Sequence, residues 1–534
     1  MAASASTGPS DGPFAPLRHK VFLVLWMATV IGNTGSFVRD VASAWLVTSL
    51  SPSPLSVALI QAAATLPLFL FSLPAGVLTD ILDRRKFLIA IQVLLACVSL
   101  GLLALSATGT LSVATLIGLT FMGGLGAALM IPTWQVIVPE LVSKETLRSA
   151  IALNSLGINI ARAVGPAVGG LLLSVAGAAV TYGVDVASYV VVIGALLWWP
   201  RGKTAEDPLA ERFSGAFRAG LRYALASRQL HLVLIRAGVY FAAASAIWAL
   251  LPLVARNLLH GGSGFYGLLL GSTGAGAIAG ALLLPVLRRH AGPDGLMLAS
   301  AITIAASMAV LVLFPIQALS YVLFLLIGAA WITALTTLNG TAQAILPNWV
   351  RGRSLAVYLT VFNAALTGGS VGWGLVAEFS GISGALLIAA ALLASSAAVF
   401  HRIRLPKGDL DLTPANHWPE PLTQQVVEHD RGPVLVTIEY RVAAEDQPAF
   451  LRRMRHLSRE RRRDGAYSWG ISEDASDKGL MLEWFFVESW AEHLRQHKRV
   501  SKADADIQSE LLKYHAGSEP PVVRHLLAAD LPRD

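Results

Sequence analysis

The sequence predicts an all-α membrane protein of two six-helix halves followed by a small α+β domain. Three observations carry this expectation. The chain has 534 residues, 54% hydrophobic and only 14% charged, whereas soluble proteins are about a quarter charged. Its mean hydropathy is +0.59, which points to several membrane spans. Twelve apolar runs, each long enough for a ~30 Å hydrocarbon layer, succeed one another before residue 400, and strand-like alternation follows.

Residues 1–16 are small, polar and rich in Pro and Gly, and are expected to be disordered. Arg18, His19 and Lys20 precede the first run; because further runs follow, it reads as an uncleaved helix and not a signal peptide. The runs lie at 20–50, 54–79, 85–107, 111–138, 147–174, 178–199, 230–254, 265–287, 295–315, 318–345, 353–377 and 383–400. One set of connections holds Arg84-Arg85-Lys86, Lys144, Arg201, Lys203, Arg212, Arg218, Arg222, Arg228, Arg288-Arg289, Arg351 and Arg353. The alternate connections hold almost no basic residues apart from Arg256. By the positive-inside rule the basic set and both termini are cytoplasmic.

The longest internal connection splits the runs six and six, and Phe213, Phe217, Leu221 and Ala224 suggest an amphipathic helix within it. The halves repeat: residues 137–155 echo residues 345–363, and Arg162 falls opposite Thr367. Paired halves suggest a transporter with its solute site near the midplane. The chain thus divides into the N-terminus (1–16), a first bundle (17–200), a cytoplasmic central loop (201–229), a second bundle (230–400), a linker (401–432) and a cytoplasmic α+β domain (433–534).

The net charge of +7 is uneven: residues 401–534 hold 20 Lys+Arg and 22 Asp+Glu, leaving 41 − 20 = 21 against 34 − 22 = 12 in the rest. The basic excess lies in the membrane part, where loop orientation explains it better than nucleic acid does. A single cysteine, Cys97, allows no internal disulfide and no cysteine-based metal cluster. No G-x4-G-K-[ST] occurs, which argues against ATP hydrolysis, and Gly274-x-Gly276 has no preceding strand, so it reads as helix packing. No cofactor, resident metal or catalytic residue is expected anywhere in the chain.

The most unusual run is Asn154 to Leu172. Gly157, Ala161, Gly165 and Gly169 recur every four residues and form a smooth stripe against which another helix can come close. Pro166 removes a backbone donor and is expected to bend or loosen the helix. Asn154, Ser155, Asn159 and Arg162 fall on an adjoining arc, and a charge at that depth needs a partner or a wet cavity.

The run Gly157 to Gly170, G-x7-G-P-x2-G-G, resembles the fifth-helix antiporter motif of the major facilitator superfamily, found mostly in exporters. GVLTDILDRRK at 76–86 resembles the superfamily's cytoplasmic signature: Gly76, Asp80, Arg84 and Arg85 match, while Ile81 and Asp83 depart from it. The resemblance implies that Asp80 binds across to the other half and, with Gly165, Pro166 and Gly169, gates the transport cycle. In the fourth helix GGLGAA (123–128) is present, but Thr120 stands where proton-driven drug exporters carry an arginine. The C-terminal order β-α-β-β-α-β is ferredoxin-like. RRRDGAYSW (461–469) and ESWAEHLRQHKR (488–499) after twelve spans resemble the transmembrane secretion effector branch, related to enterobactin exporters, with an antibiotic-biosynthesis-monooxygenase-like domain.

The resemblance implies a twelve-helix secondary transporter of a bacterial inner membrane, a proton-driven exporter of a small organic solute such as a drug, siderophore or secondary metabolite, and a possible homodimer through the tail. The alternative is a bifunctional protein whose tail is a monooxygenase-like enzyme, with His493, His497, Trp469 and Trp490 as candidates, or a sensing or dimerisation module. On their basic helix, His493 and His497 are expected on the solvent face. Asp40, beside Arg39, is the candidate proton carrier, roughly 15 Å below the outer end of its helix at about 1.5 Å per residue. Arg162, roughly 18 Å deep, and Asp185, roughly 10 Å deep, are candidates for the same ionic cluster. Arg162 is expected to meet Asp40 and to part from it when solute binds; a static salt bridge to Arg39 or Arg162 is the alternative. Trp134, Tyr240, Trp248 and Trp331 are candidate walls of an amphipathic pocket.

Overall fold

The computed structural model describes residues 12, 14–143, 145–199, 221, 223–347, 349–406, 427–428 and 431–529; the side chains of 72, 73, 76, 77, 80, 81, 498, 503 and 504 lie outside the description. The chain forms two compact units. The first comprises Met1–Glu206, Leu234–Asn339 and Leu359–Arg404, and the second Asp207–Val233, Gly340–Tyr358 and Leu405–Asp534.

Among the described residues, ten helices are long and apolar enough to cross a membrane. They are α1 (Lys20–Leu50), α2 (Pro54–Ile81), α3 (Arg84–Ala107), α4 (Val113–Ile137), α5 (Leu147–Trp198), α6 (Arg228–Leu253), α7 (Ser263–His290), α8 (Pro293–Leu313), α9 (Gln317–Ala344) and α10 (Arg351–Arg402). Their starts follow from local chemistry. Ser53 accepts from Ser56 N ahead of Pro54 at the first position of α2, and Ser112 and Thr115 form a reciprocal capping box at α4. Asp83 caps α3 by accepting from Lys86 N at 2.9 Å. Phe213, Phe217 and the rest of the central loop up to 220 lie outside the described residues.

Helices α5 and α10 are each 52 residues long and each breaks once, at Gly177 (φ 78, ψ 178) and Gly381 (φ 73, ψ 170). Both breaks fall 30 residues after the helix start, 177 − 147 and 381 − 351, so the two helices are structural copies. The copy register is therefore 204, from 381 − 177, which sets Arg162 opposite Leu366, one residue before the expected Thr367. The helix stays continuous through Pro166.

The copy extends to packing. A Cβ on Gly165 would stand 2.6 Å from Phe37 Cβ of α1, and one on Gly170 2.7 Å from Gly267 Cα and the Ser263 carbonyl oxygen of α7. The equivalents Gly369 and Gly374 press on Ala242 of α6 and on Leu55 and Ala58 of α2. Each copied helix thus packs by glycine against its own half on one side and the opposite half on the other. Without a hydrophobic driving force between helices in lipid, such close approach supplies dispersion contacts.

In the second unit the sheet contains β1 (Val434–Arg441), β2 (Ser468–Glu473), β3 (Leu480–Val487) and β4 (Val522–Leu527), all antiparallel, in the order β2-β3-β1-β4. Helices α11 (Gln447–Asp464), α12 (Trp490–Arg499) and α13 (Lys502–Leu512) connect them. Alternating Val434, Val436, Ile438 and Tyr440 pack on Phe450, Met454, Leu457, Phe485 and Val487 in one core. Within that core Glu483 is wholly buried and joins Arg461 Nε at 3.0 Å, Tyr440 Oη at 3.1 Å and Trp469 Nε1 at 2.9 Å.

The breaks at Gly177 and Gly381 occupy backbone that only glycine adopts without strain, while a Cβ at either meets nothing within 4 Å. Gly177→Ala and Gly381→Ala should therefore each cost about 1–3 kcal/mol through backbone strain alone. Thermal unfolding of the purified protein in detergent measures this, with Gly194→Ala, a helical glycine equally free of neighbours, as the control that should not lower the midpoint.

Candidate functional site

The first half holds a cavity of about 390 Å³ between α1, α3, α4 and both limbs of α5. Leu88, Leu95, Met130 and Trp134 give it apolar walls; Asn33, Gln92 and Asn154 add amide groups. Its charged lining is Arg39, Asp40 and Arg162.

Arg39 is the centre of the polar wall. Its side chain is only 10% exposed, and it lies on the α1 face turned toward α4 and the second limb of α5. Nε and Nη2 donate to Asp40 Oδ1 at 3.2 and 3.0 Å. Nη1 donates to Tyr189 Oη at 2.9 Å and lies 3.6 Å from Asp185 Oδ2. Asp185 is fully enclosed and accepts from Ser99 Oγ of α3 at 2.6 Å; Tyr189 also meets Ser36 at 3.0 Å. Asp40, by contrast, leaves 54% of its side chain exposed. A buried cation in this setting needs compensation by charge and hydrogen bonds; α1 and the second limb of α5 supply it, and α3 supports Asp185 through Ser99.

Small residues allow this approach. A Cβ on Gly35 would collide with Ser188 and stand 2.8 Å from Asp185 Oδ1, so α1 reaches the acid only because that position is bare. Gly123 of α4 leaves its face open to Arg39, with the guanidinium carbon 3.6 Å from where a Cβ would stand.

The structure brings Arg39, Asp40 and Asp185 together. Arg162 lines the same cavity, and among the described residues it has no ion pair with Asp40. Asn159 is exposed and donates to its own helix at Ser155 O, 2.9 Å away. Gly165 and Gly169 pack on α1 at Phe37, Val38 and Val41, while the Pro166 carbonyl faces Gly267 of α7. Arg84 pairs with Glu140, and Arg85 donates to Leu196 O at 2.8 Å and Leu197 O at 2.6 Å, so both tie α3 to neighbours of the same half. The side chains of Gly76 and Asp80 lie outside the description. Of the aromatic candidates Trp134 lines the cavity, its Nε1 donating to Asn154 at 2.8 Å. Tyr240 and Trp331 pack on Phe241 in the second half, and Trp248 on Trp331.

Sequence reading missed Ser99, Tyr189, Ser36 and Gly123. Their lone polar or small positions in apolar runs are visible, but nothing in the spacing says that they converge on Arg39.

The halves meet in polar contacts at the end of the bundle that carries Leu50. Arg256 Nη1 donates to Thr48 at 2.9 Å and Ser49 at 2.8 Å, and Glu378 accepts from Ser53 Oγ and from Leu55 N at 3.3 Å. Deeper in, Thr65 meets Thr367 at 2.8 Å.

The expected solvent position of the tail histidines is overturned. His493 is 1% exposed and His497 half-buried, because α12 buries Glu492, His493, Gln496 and Arg499. Glu492 and Arg499 neutralise each other there at 2.5 Å, which is why a charge-rich face can be buried. Burial, with His497 and His525 adding to it, pushes the His493 imidazole down to about 3, so it is neutral across the physiological range.

The sequence matches the family described as transmembrane secretion effector over residues 11–533. It is 27% identical to the multidrug efflux pump Tap of Mycolicibacterium fortuitum over 382 residues, 69% of this chain and 92% of the relative. It is also 27% identical to an enterobactin exporter of Escherichia coli over 323 residues, 60% of this chain and 76% of the relative. Among solved structures it resembles a bacterial homolog of the human lysosomal transporter Spinster in an inward-facing, unoccupied conformation (TM-score 0.60, 16% identity, 72% of this chain and 97% of that one). A bacterial homologue of the iron transporter ferroportin, also inward-facing, is similar at TM-score 0.55 and 14% identity, over 72% and 98% of the two chains.

Arg39→Leu should strand the enclosed Asp185 and cost about 3–5 kcal/mol, whereas Arg39→Leu combined with Asp185→Leu should recover much of that loss. Thermal midpoints of the two singles and the double in detergent test the coupling; strictly additive losses would show that the two side chains are neighbours without interaction.

Proposed function

We propose, on the premise that the chain belongs to the transmembrane secretion effector family of the major facilitator superfamily, that it exports a small amphipathic organic solute in exchange for protons. Family and fold are those of membrane transporters, and its relatives include an efflux pump and an enterobactin exporter. We read each broken helix as two spans, giving twelve, with the basic loops and both termini cytoplasmic. The C-terminal domain reads as ferredoxin-like, and exposed Val522, Val523 and Leu526 on edge strand β4 support pairing of two copies there.

The observation that carries the reading is the asymmetric pair of acids on Arg39. Asp185 is enclosed, while Asp40 is paired yet half-exposed beside the cavity. Together the three side chains hold one positive and two negative charges. A proton on Asp40 leaves Arg39 compensated by Asp185, so the cluster moves between net −1 and neutral without an unpaired cation in the membrane. Thr120 lacks the charge that the fourth helix of proton-driven exporters supplies, and Arg39 brings a guanidinium to that same helix against Gly123. Arg162, which lines the same cavity, acts on the solute or on Asp40 when the halves rearrange. Amide groups and Trp134 suit a solute with both ring and polar character.

The polar contacts at the Leu50 end read as a closed outer gate, which makes this an inward-facing conformer. Arg256, the basic residue that breaks the loop-charge rule, serves as the strap. At the cytoplasmic end Gly76, Asp80, Arg84 and Arg85 form the opposing gate, with Gly165, Pro166 and Gly169 as the sliding surface between the two states.

In everted vesicles Asp40→Asn should abolish proton-driven uptake of a transported dye while retaining energy-independent exchange. Full driven transport by that variant would remove Asp40 as the carrier. Arg256→Ser with Glu378→Gln, in a Cys97→Ser background, should speed labelling of Asn33→Cys from outside the cell several-fold. An unchanged labelling rate would contradict the outer-gate assignment.

A further inference from the structure

Apart from the transport site, the tail contains a second cluster with ligand chemistry. His493 and His497 stand one turn apart on α12, and His525 projects from β4. One ring nitrogen from each lies within 4.8 Å of the others. The Nε2 atoms of His493 and His497 are 3.1 Å apart, and the rings of His493 and His525 are centred 4.6 Å apart. Two nitrogens bound to one tetrahedral ion at 2.0–2.1 Å stand about 3.3 Å from each other, so the first pair already has the bite of a chelate. His525 closes the remaining gap by side-chain rotation on an edge strand, where it is only half-buried.

The surroundings are those of a metal site more than of a packed core. Gln496 is completely buried and lies against His493, yet neither its amide atoms nor His493 Nδ1 reach a hydrogen bond of good geometry. Buried polar groups in that condition call for an explanation. Turning the His493 Nε2 lone pair onto an ion puts the proton on Nδ1, where Gln496 can accept it, the usual outer partner of a ligating histidine. Trp490 packs on His493 and His525 at 5.4 and 6.1 Å between ring centres and shields them from water. The charged neighbours are internally neutralised. Arg461 is held by Glu483 at 3.0 Å and Arg499 by Glu492 at 2.5 Å, so neither of these two cations opposes a bound ion uncompensated.

We propose that His493, His497 and His525 form a three-imidazole site for a borderline divalent metal ion, with Zn²⁺ as the favoured occupant, that pins β4 to α12. Three neutral imidazoles with an open fourth position suit Zn²⁺ and related late transition ions and do not suit Mg²⁺ or Ca²⁺, which need oxygen ligands. The alternative is a plain imidazole–imidazole hydrogen bond between His493 and His497.

The test uses the full-length, tag-free protein in detergent after EDTA treatment. Zn²⁺ titration should show one tight equivalent per chain and raise the thermal midpoint, and Co²⁺ should give a tetrahedral d–d spectrum. His525→Gln, on the half-exposed edge, should weaken Zn²⁺ at least about 100-fold, since even an outer partner is worth 10–100-fold, and abolish the Co²⁺ band. Its metal-free midpoint should match the parent's. His456→Gln, an exposed histidine on α11, should bind as the parent does. If the parent takes up no Zn²⁺, or if His525→Gln and the His493→Gln/His497→Gln pair bind as tightly as the parent, the site does not exist and the histidines are only hydrogen-bonded.

Discussion

The close approach of α5 to two partners at once governs the membrane part. Gly165 and Gly169 let α1 settle on one face, and Gly170 lets α7 of the other half settle on the next. In lipid no hydrophobic force holds helices together, so backbone contact and its dispersion energy decide which helices touch. The repeat at Gly369 and Gly374 applies the same device to α6 and α2. Such glycine surfaces carry no interlocked side chains, so backbone shape sets their contact.

That packing also creates the polar centre. The break at Gly177 returns the chain so that Asp185 and Tyr189 run back beside α1. With Gly35 bare, Arg39 reaches them and keeps Asp40 as well. A guanidinium buried in a membrane domain would be untenable alone; two carboxylates and a phenol compensate it, and one of the two acids stays half-exposed. The proposed proton carrier Asp40 and the polar lining of the cavity thus belong to one constellation.

The tail follows soluble-protein rules instead. Its sheet has one buried face with period-two alternation and carries an enclosed Glu483 held by Arg461, Tyr440 and Trp469. The histidine cluster lies at the other end of the same logic, on polar residues buried by a helix whose composition looks fit for water.

Read by itself, the sequence located the apolar helices, the strand and helix order of the tail and the glycine stripe. Each of these is periodic or compositional, so neighbouring residues carry the information. It also singled out Arg39, Asp40, Asp185 and Arg162, because an ionisable residue in an apolar run is costly wherever it sits. Only the tertiary structure decided which charges meet. Arg39 pairs with Asp40 and Asp185, while Arg162 stands on the cavity wall. The repeat register of 204 and the burial of His493 were likewise settled by packing. Pairing depends on helix rotation and on which positions lack a side chain, and those are properties of contacts between residues as far apart as 39 and 185, which no local pattern encodes.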